Sequence, residues 1–385
     1  MTTDPASSAP FEVLIAGGSV AALEGALALR HLAGDRVSVT LIAPNREFVY
    51  RPMTVQEPFA YGAARRYPVE EIVREIGAEL IEDSLQSVDP AAARARTASG
   101  AQHRYDALLV ALGAQIRARY EYATTIDDRH LDAQLHGLVQ DVEGGYVKHL
   151  AFVIPPRMSW PLPVYELALM TAVRAYDSNI ELPITVLTPE DAPLAVFGGG
   201  ASSAVSQLLA DRHIEVITSA YCEIPRPGQI DVSPGGRTVH ADRIVALPEL
   251  EGPALPGLPA DDDGFIPIDA NCRIRGLERE FAAGDVVEFS IKHGGIAAQQ
   301  ADTAATMIAS LAGAPVEPET FRPTIHGILL TGEKPRYLKA QITGGHGFSS
   351  EITEEPSWPS PAKIAAKYLA PYLEERDRAA GRSGT

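Results

Sequence analysis

A short apolar run, EVLIA at residues 12–16, passes through a Gly-Gly-Ser turn into SVAALEGALALRHL, where Leu23, Ala26, Leu27 and Leu29 recur at near-helical spacing. A second apolar run, VSVTLIA at residues 37–43, follows Gly34. Short, largely apolar runs of this kind have the character of buried strands, as in parallel sheets. Two parallel strands with a helix between them form a βαβ unit with a right-handed crossover. A chain carrying this unit is expected to build an α/β fold around a largely parallel sheet.

The turn inside the unit approaches a dinucleotide fingerprint. Such a turn needs Gly for tightness, Gly where the backbone meets pyrophosphate, and a small residue where helix packs on strand. Gly17, Ser19 and Ala22 hold those positions, with Gly18 beside them, so the motif reads G-x-S-x-x-A. The Cβ of Ser19 crowds the phosphate approach, while its hydroxyl can donate to an oxygen. The helix start behind the turn favours an anion through its free N–H groups and its dipole. The acidic residue that grips a ribose after the second strand is missing; Ala43 stands there, and Asn45 is the nearest polar substitute. Taken alone, the segment also reads as a tight strand–helix turn that binds nothing.

Further along, residues 67–120 alternate strand-like and polar stretches, with a hairpin pattern turned at Ser99-Gly100. Residues 147–217 hold a second α/β pattern: HLAFVIPP as a strand, PVYELALMTAVRAY as a helix, ITVLTPE as a strand, a helix at 202–210 and the strand IEVIT. GGGAS at 198–202 follows AVF, so it reads as a strand–turn–helix, either a second phosphate site or a plain turn. From residue 242 come RIVALPEL, a loop rich in Pro, Gly and Asp, FIPIDANCRI, FAAGDVV and a helix at 295–311. The tail carries the strand-like ILLTG and RYLKAQITG, a Pro-rich stretch and a helical KIAAKYLA.

With 385 residues the chain has room for two or three domains. Its net charge of −17 argues against nucleic acid and anionic membrane surfaces as partners. Residues 1–10 lack a signal-peptide pattern, and no apolar run approaches the ~18–20 residues that span a bilayer. A soluble, cytoplasmic protein is expected. The two cysteines, Cys222 and Cys272, form neither a disulfide framework nor a C-x-x-C pair, and read as small buried hydrophobes or inert surface thiols. The ten histidines show no metal-ligand spacing, so no metal is expected.

Other segments join the first turn. YDALLVALGA at 105–114 carries Ala111 and Gly113, EFAAGDVVEFSIKHGGIAAQQADTAA at 280–305 carries Gly284 and Asp285, and FVYRPM at 48–53 carries Arg51 and Pro52. In this order they resemble the FAD-dependent pyridine nucleotide-disulfide oxidoreductase superfamily, nearest to its sulfide:quinone oxidoreductase and type II NADH dehydrogenase branch. The resemblance spans roughly residues 10–325. It implies two Rossmann-type lobes with a small C-terminal interface region. Residues 10–120 and 242–325 would form a split FAD-binding domain, 121–241 a second, NAD(P)-domain-like lobe, and 326–385 the interface region. FAD contacts would come from Gly17, Gly18, Ser19, Ala22, Ala43, Asn45, Arg51, Pro52, Ala111, Gly113, Gly284, Asp285, Lys292 and Gly295. Asp285 would accept from a ribityl hydroxyl; otherwise it is a helix-cap or turn carboxylate. Lys292, or the N–H groups of the helix starting near Gly295, would stabilise negative charge on reduced flavin.

The second lobe departs from the resemblance. A type II dehydrogenase would carry another glycine fingerprint after the strand at 150–154, but VIPPRMSWPLPVYELAL has no glycine. Proline lacks an N–H donor, so the usual phosphate nest cannot form and ordinary NAD(P)H binding is not expected. In the sulfide:quinone branch this loop carries a reactive cysteine facing the flavin; here Trp160 stands at about that place. With Lys292, the candidate catalytic residues are therefore Trp160 and Glu166. Trp160 either covers a flavin face or is a core tryptophan between lobes. Glu166 matches a functional Glu of the type II enzymes, or is a dipole match in the first turn of a helix. Tyr165 is either a proton donor or an interface tyrosine.

In the tail, Ile364, Tyr368, Leu369, Tyr372 and Leu373 lie at helix-like spacing beside Lys363 and Lys367. Pro371 interrupts the pattern and Glu374, Glu375 and Asp377 follow it, so membrane contact is not expected. The segment reads as a helix covering the flavin pocket or as a homodimer contact, and residues 379–385 as disordered. The expected function is an FAD-dependent oxidoreductase that passes electrons from a small donor to a quinone-like or other small acceptor, without a cysteine relay. The alternatives are an NAD(P)H:acceptor reductase and a non-catalytic flavin- or nucleotide-binding protein.

Overall fold

The computed structural model describes residues 9–343, 347–358 and 362–381. Most of the N-terminal stretch and the end of the expected disordered tail lie outside the described residues. The short, mostly apolar strands pair in parallel. The first sheet runs Glu280–Ala282, Ala107–Val110, Phe11–Ala16, Val37–Ile42, Glu79–Ile81. A second parallel sheet runs Thr124–Thr125, Arg243–Ala246, Leu150–Val153, Ile184–Leu187, Ile214–Ile217. Small antiparallel sheets complete the fold, among them the hairpin expected at Ser99-Gly100 and the three strands Thr324–Leu329, Arg336–Thr343 and Gly347–Thr353. Two expected parallel sheets in an α/β frame are thus present.

Among the described residues the helices are α1 (Val20–Ala33), α2 (Val69–Glu75), α3 (Leu131–Glu143), α4 (Leu162–Asp177), α5 (Gly199–Asp211), α6 (Gly294–Leu311) and α7 (Leu369–Ala379). The small residues of α1 and α6 let both helices lie close on the first sheet: Ala22, Ala26, Ala301, Ala304 and Ala305 are buried together with Leu109. Gly25 marks the closest approach, where a Cβ would stand 2.7 Å from Leu109 Cδ2.

Several local expectations fail for identifiable reasons. The residues AVF at 195–197 form a short 3₁₀ turn with a left-handed Leu194 before it, not a strand, so GGGAS opens α5 from a turn. Arg243–Ala246 pairs inside the second sheet, so the chain returns toward the first sheet after residue 246 and not at 242. Residues 363–368 are not helical; α7 begins at Leu369, with Pro371 in its first turn, where a missing N–H is harmless. Pro371 therefore interrupts nothing.

What starts α7 is a carboxylate from α1. Glu24 is fully buried and accepts from the N–H groups of Lys367 at 2.7 Å, Tyr368 at 2.9 Å and Leu369 at 2.5 Å. Asp302 of α6 lies against it, and burial together with the Glu24 charge pushes Asp302 up to about 9. The folded chain therefore keeps a proton on Asp302 that the unfolded chain releases near the ordinary carboxylate range. The unfolded state binds fewer protons across that interval, so this group lowers stability as pH rises from about 4 toward about 9. One proton sets an upper slope of ~1.4 kcal/mol per pH unit. Thermal melts of wild type and Asp302→Asn between pH 5 and about 8.5 are expected to diverge, the Asn variant gaining relative stability with pH. Parallel curves would show that Asp302 is ionised in the folded protein.

Candidate functional site

The carboxyl ends of four strands in the first sheet open onto one cavity of about 1230 Å³. Ligand pockets commonly measure ~300–1,000 Å³, so this one is large enough for a dinucleotide with space beside it. In open α/β sheets the carboxyl ends of the strands are where ligands bind.

The turn after Phe11–Ala16 forms one wall. Gly17 has φ of +137°, and a Cβ there would stand 2.3 Å from the Ala111 carbonyl oxygen. Only glycine lets the first strand end so close to Ala107–Val110. A Cβ on Gly18 would meet the Ala43 Cβ at 2.8 Å. Ser19 precedes α1 without any capping bond from its side chain, which leaves the first N–H groups of α1 facing an approaching anion. Gly17, Gly18 and Ser19 line the cavity, as do Asn45, Arg51, Pro52, Ala111, Gly113, Gly284, Asp285 and Lys292.

Three expected contacts lie elsewhere. Ala22 is fully buried where α1 packs on the sheet, and Ala43 is buried beneath Gly18. Their small size serves the close packing of the turn, so neither is a cavity wall. Gly295 donates its N–H to His293 Nδ1 at 3.0 Å, because His293 caps α6, so that amide is not open to a cofactor.

Four of the charged side chains that line the cavity act on one another. Arg51 lies 3.8 Å from Asp128. Burial raises Asp285, opposed by Lys292, while Asp128 raises it further. Asp128 is raised by burial as well, and its Oδ1 is enclosed without a hydrogen-bond partner. Burial brings Lys292 down to about 8, with Asp285 the largest opposing influence. The Lys292 ammonium donates to the Val287 carbonyl and stands 3.8 Å from the centre of the Phe265 ring. Asp285 is no helix cap, since that position before α6 belongs to His293.

Glu166 and Trp160 both reach the cavity. Glu166 lies in the second turn of α4, so the expected dipole match in a first turn does not apply. Its carboxylate meets the Lys363 ammonium at 2.6 Å, with the two side chains 1% and 5% exposed. Lys363 also donates to the Pro52 carbonyl at 2.9 Å, and the Leu330 N–H donates to Glu166 at 2.9 Å. Burial raises Glu166 and lowers Lys363, each opposed by the other's charge. Trp160 packs on His293 and edge-on against Phe197.

Other candidates resolve as packing. Tyr165 is fully buried and donates to Glu190 at 2.6 Å, so it is a core residue and no proton donor to the cavity. Ser202, at the GGGAS turn, donates to the Pro193 carbonyl at 2.6 Å, and the turn stands outside the cavity. Cys222 and Cys272 are buried away from the cavity, and burial pushes the Cys222 thiol up to about 12 and Cys272 up as well. The sequence reading missed Asp128, Lys363 as an ion-pair partner and His326, all cavity residues. Asp128 belongs to no motif that marks a site, and no local pattern ties Lys363 to Glu166.

Among the described residues, no helix is long and apolar enough to cross a membrane, and no group of three His, Cys, Asp or Glu side chains is placed to hold a metal.

No family model matches the chain. It is 26% identical over 262 residues to the sulfide-quinone reductase of Aquifex aeolicus, a match covering 63% of this chain and 59% of that protein. An NADH dehydrogenase-like protein of Mycobacterium tuberculosis is 23% identical over 281 residues, 70% of each chain. Among solved structures, the sulfide:quinone oxidoreductase of Aquifex aeolicus superposes with a TM-score of 0.79 at 20% identity, covering 97% of this chain and 91% of that one. A ferredoxin reductase from Rhodopseudomonas palustris superposes with a TM-score of 0.68 at 18% identity, covering 97% and 96%. The chain is thus distantly similar in sequence to a sulfide-quinone reductase and to NADH dehydrogenase-like proteins, and it shares the fold of the solved sulfide:quinone oxidoreductase.

Proposed function

We propose that the protein is an FAD-dependent oxidoreductase that takes electrons from a small donor and delivers them to a quinone-like or other small acceptor, without a cysteine relay. The observation that carries this reading is the cavity at the carboxyl ends of the first sheet, which both Gly17–Ser19 and Asp285 line. The residues present fit FAD. The start of α1 offers unpaired N–H groups to the pyrophosphate, and Gly17 and Gly18 keep side chains out of its way. The carboxyls of Asp285 and of the half-exposed Asp128 offer acceptors to ribityl hydroxyls, and the enclosed Asp128 Oδ1 has no hydrogen-bond donor of its own.

Bound FAD would supply two-electron chemistry at its isoalloxazine ring. The protein's own part is to hold, balance and shield. Lys292 and Arg51 offset the two carboxylates, and the cation near the ring would favour a negatively charged reduced state. The Glu166–Lys363 pair fixes residues 362–368 against Pro52 and closes that side of the cavity against water. In this reading the segments that build the first sheet form the cofactor lobe, and those of the second sheet form a lobe that faces the donor or acceptor.

Flavin-loaded protein is expected to stay oxidised for minutes under anaerobic NADH or NADPH, because Pro155 and Pro156 follow Leu150–Val153 where a phosphate turn would need glycine. Cys222→Ser and Cys272→Ser are expected to leave the rate of flavin reduction by any productive donor unchanged. Rapid bleaching by NADH would favour an NAD(P)H:acceptor reductase, and loss of reduction in either Ser variant would contradict the absence of a sulfur relay.

A further inference from the structure

Before α7 the chain runs along one side of the cavity. Lys363 and Ile364 line it, and Ile364 lies so close to the start of α6 that a Cβ on Gly294 would stand 2.8 Å from its Cγ1. The Ile364 N–H donates to the Tyr50 hydroxyl at 2.8 Å. Residues 362–368 are thus a strap on the cavity, fastened at both ends. Lys363 holds one end, through Glu166 and the Pro52 carbonyl. Glu24 holds the other, through the N–H groups of Lys367, Tyr368 and Leu369. Beyond it α7 is clamped separately: Arg376 pairs with Glu71 and Glu75, and Asp377 with Arg65 and Tyr67.

The Glu24 fastening differs from the others in having a second carboxyl behind it. Asp302 faces Glu24 from α6, and its Oδ1 is enclosed without a hydrogen-bond partner. Two carboxylates in contact cannot both ionise while enclosed. The other titratable groups at the pair come mainly from the strap. The Lys367 ammonium opposes the rise of Asp302 and stands 5.0 Å from the centre of the Tyr368 ring, which meets His31 of α1 at 5.3 Å. One cation does not match two carboxylates, so Asp302 keeps its proton and the pair carries a single charge.

Losing that proton would require water at the pair. The helices α1 and α6 resist parting, because Ala22, Ala26, Ala301 and Ala304 pack them closely on the first sheet. The strap is the cover that can lift, since residues 365–368 belong to no helix or sheet. Lifting it hydrates both carboxyls and releases the Asp302 proton.

We propose that Glu24 and Asp302 form a proton-operated latch, and that loss of their shared proton frees residues 365–369 and opens this side of the cavity. The proposal rests on the reading above only in taking this cavity as the reaction site. Neither carboxyl lines the cavity, so the latch governs access and not chemistry. The closed strap holds a proton that the open strap releases. Each pH unit from about 4 to about 9 therefore favours opening by up to about tenfold.

The test is hydrogen exchange by mass spectrometry on the purified full-length protein, read as protection factors so that intrinsic exchange at each pH cancels. In wild type, protection of residues 365–370 is expected to fall by about tenfold or more between about pH 6 and pH 8. Asp302→Asn keeps the shape and a donor to Glu24 without the titrating proton, so its protection should stay level. The strand Leu150–Val153 should stay level in both proteins. Uptake of added FAD by the apoprotein is expected to speed up about fivefold over the same interval in wild type, and not in Asp302→Asn. Level protection at 365–370 in wild type, an equal fall in Asp302→Asn, or an equal fall at Leu150–Val153 would overturn the latch. So would a constant rate of FAD uptake while that protection falls. Loosening with pH in protein that takes up no FAD supports the latch and removes the flavin reading. Flavin-loaded protein whose strap does not loosen rejects the latch and leaves the flavin reading standing.

Discussion

Asp285→Ala is expected to purify without flavin and to bind added FAD about a hundredfold more weakly than wild type. Asp285 lies on the loop after Glu280–Ala282, walled in by protein, with its carboxyl facing the cavity. A hydrogen bond to a charged group contributes about 1.5–3 kcal/mol, and a ribityl chain offers more than one hydroxyl. Asp285→Asn keeps the shape and part of the hydrogen bonding, so it should fall between the two. The apoprotein supplies the control. Burial raises Asp285 in the folded state, so its carboxylate is a burden to the empty protein. The melting temperature of apo Asp285→Ala should therefore equal or exceed that of apo wild type. A lower melting temperature with FAD affinity intact would make Asp285 a structural residue.

Lys363→Ala is expected to destabilise the protein by about 3–5 kcal/mol, because it leaves the Glu166 carboxylate enclosed without its partner. Glu166 is 1% exposed and would retain only the Leu330 N–H as a donor. Glu166→Ala should cost a similar amount by stranding Lys363, whose other bond is to the Pro52 carbonyl. The double variant Glu166→Leu with Lys363→Met should recover most of the loss, since an apolar pair of similar volume commonly replaces a buried ion pair without penalty. Urea denaturation of the four proteins measures this. Single variants as stable as wild type would show that the pair is hydrated and contributes little. The same single variants should expose residues 362–368 to proteolysis, because Lys363 ties that segment to α4 and to Pro52.

Much of the frame was legible because it rests on short-range signals. The runs at 12–16 and 37–43 are mostly apolar, broken only by Glu12, Ser38 and Thr40, and short strands of this kind favour the middle of a parallel sheet. Gly17 was legible for the same kind of reason: its left-handed φ and its contact with Ala111 tolerate no other residue. The ends of the chain were less legible. Nothing local in KIAAKYLA says that α7 must wait until Leu369; that boundary is set by Glu24, more than three hundred residues earlier, which takes the free N–H groups at its start. The fingerprint positions misled in a related way. Ala22 and Ala43 occupy places where the pattern anticipates cofactor contact, yet their small side chains serve the packing of Gly18 and α1. Asp128 and Lys363 matter through partners on other elements, Arg51 and Glu166, and long-range pairs of this kind leave no spacing to read.

The most direct measurement is the visible absorption spectrum of the purified protein, followed by chromatography of the cofactor released by acid. Bands near ~370 and ~450 nm that disappear in Asp285→Ala, with FAD as the released molecule, are the predicted result. A colourless protein that also fails to take up added FAD would contradict the account, and would mean that Ser19 and the missing ribose carboxylate at Ala43 have closed the cavity to the flavin.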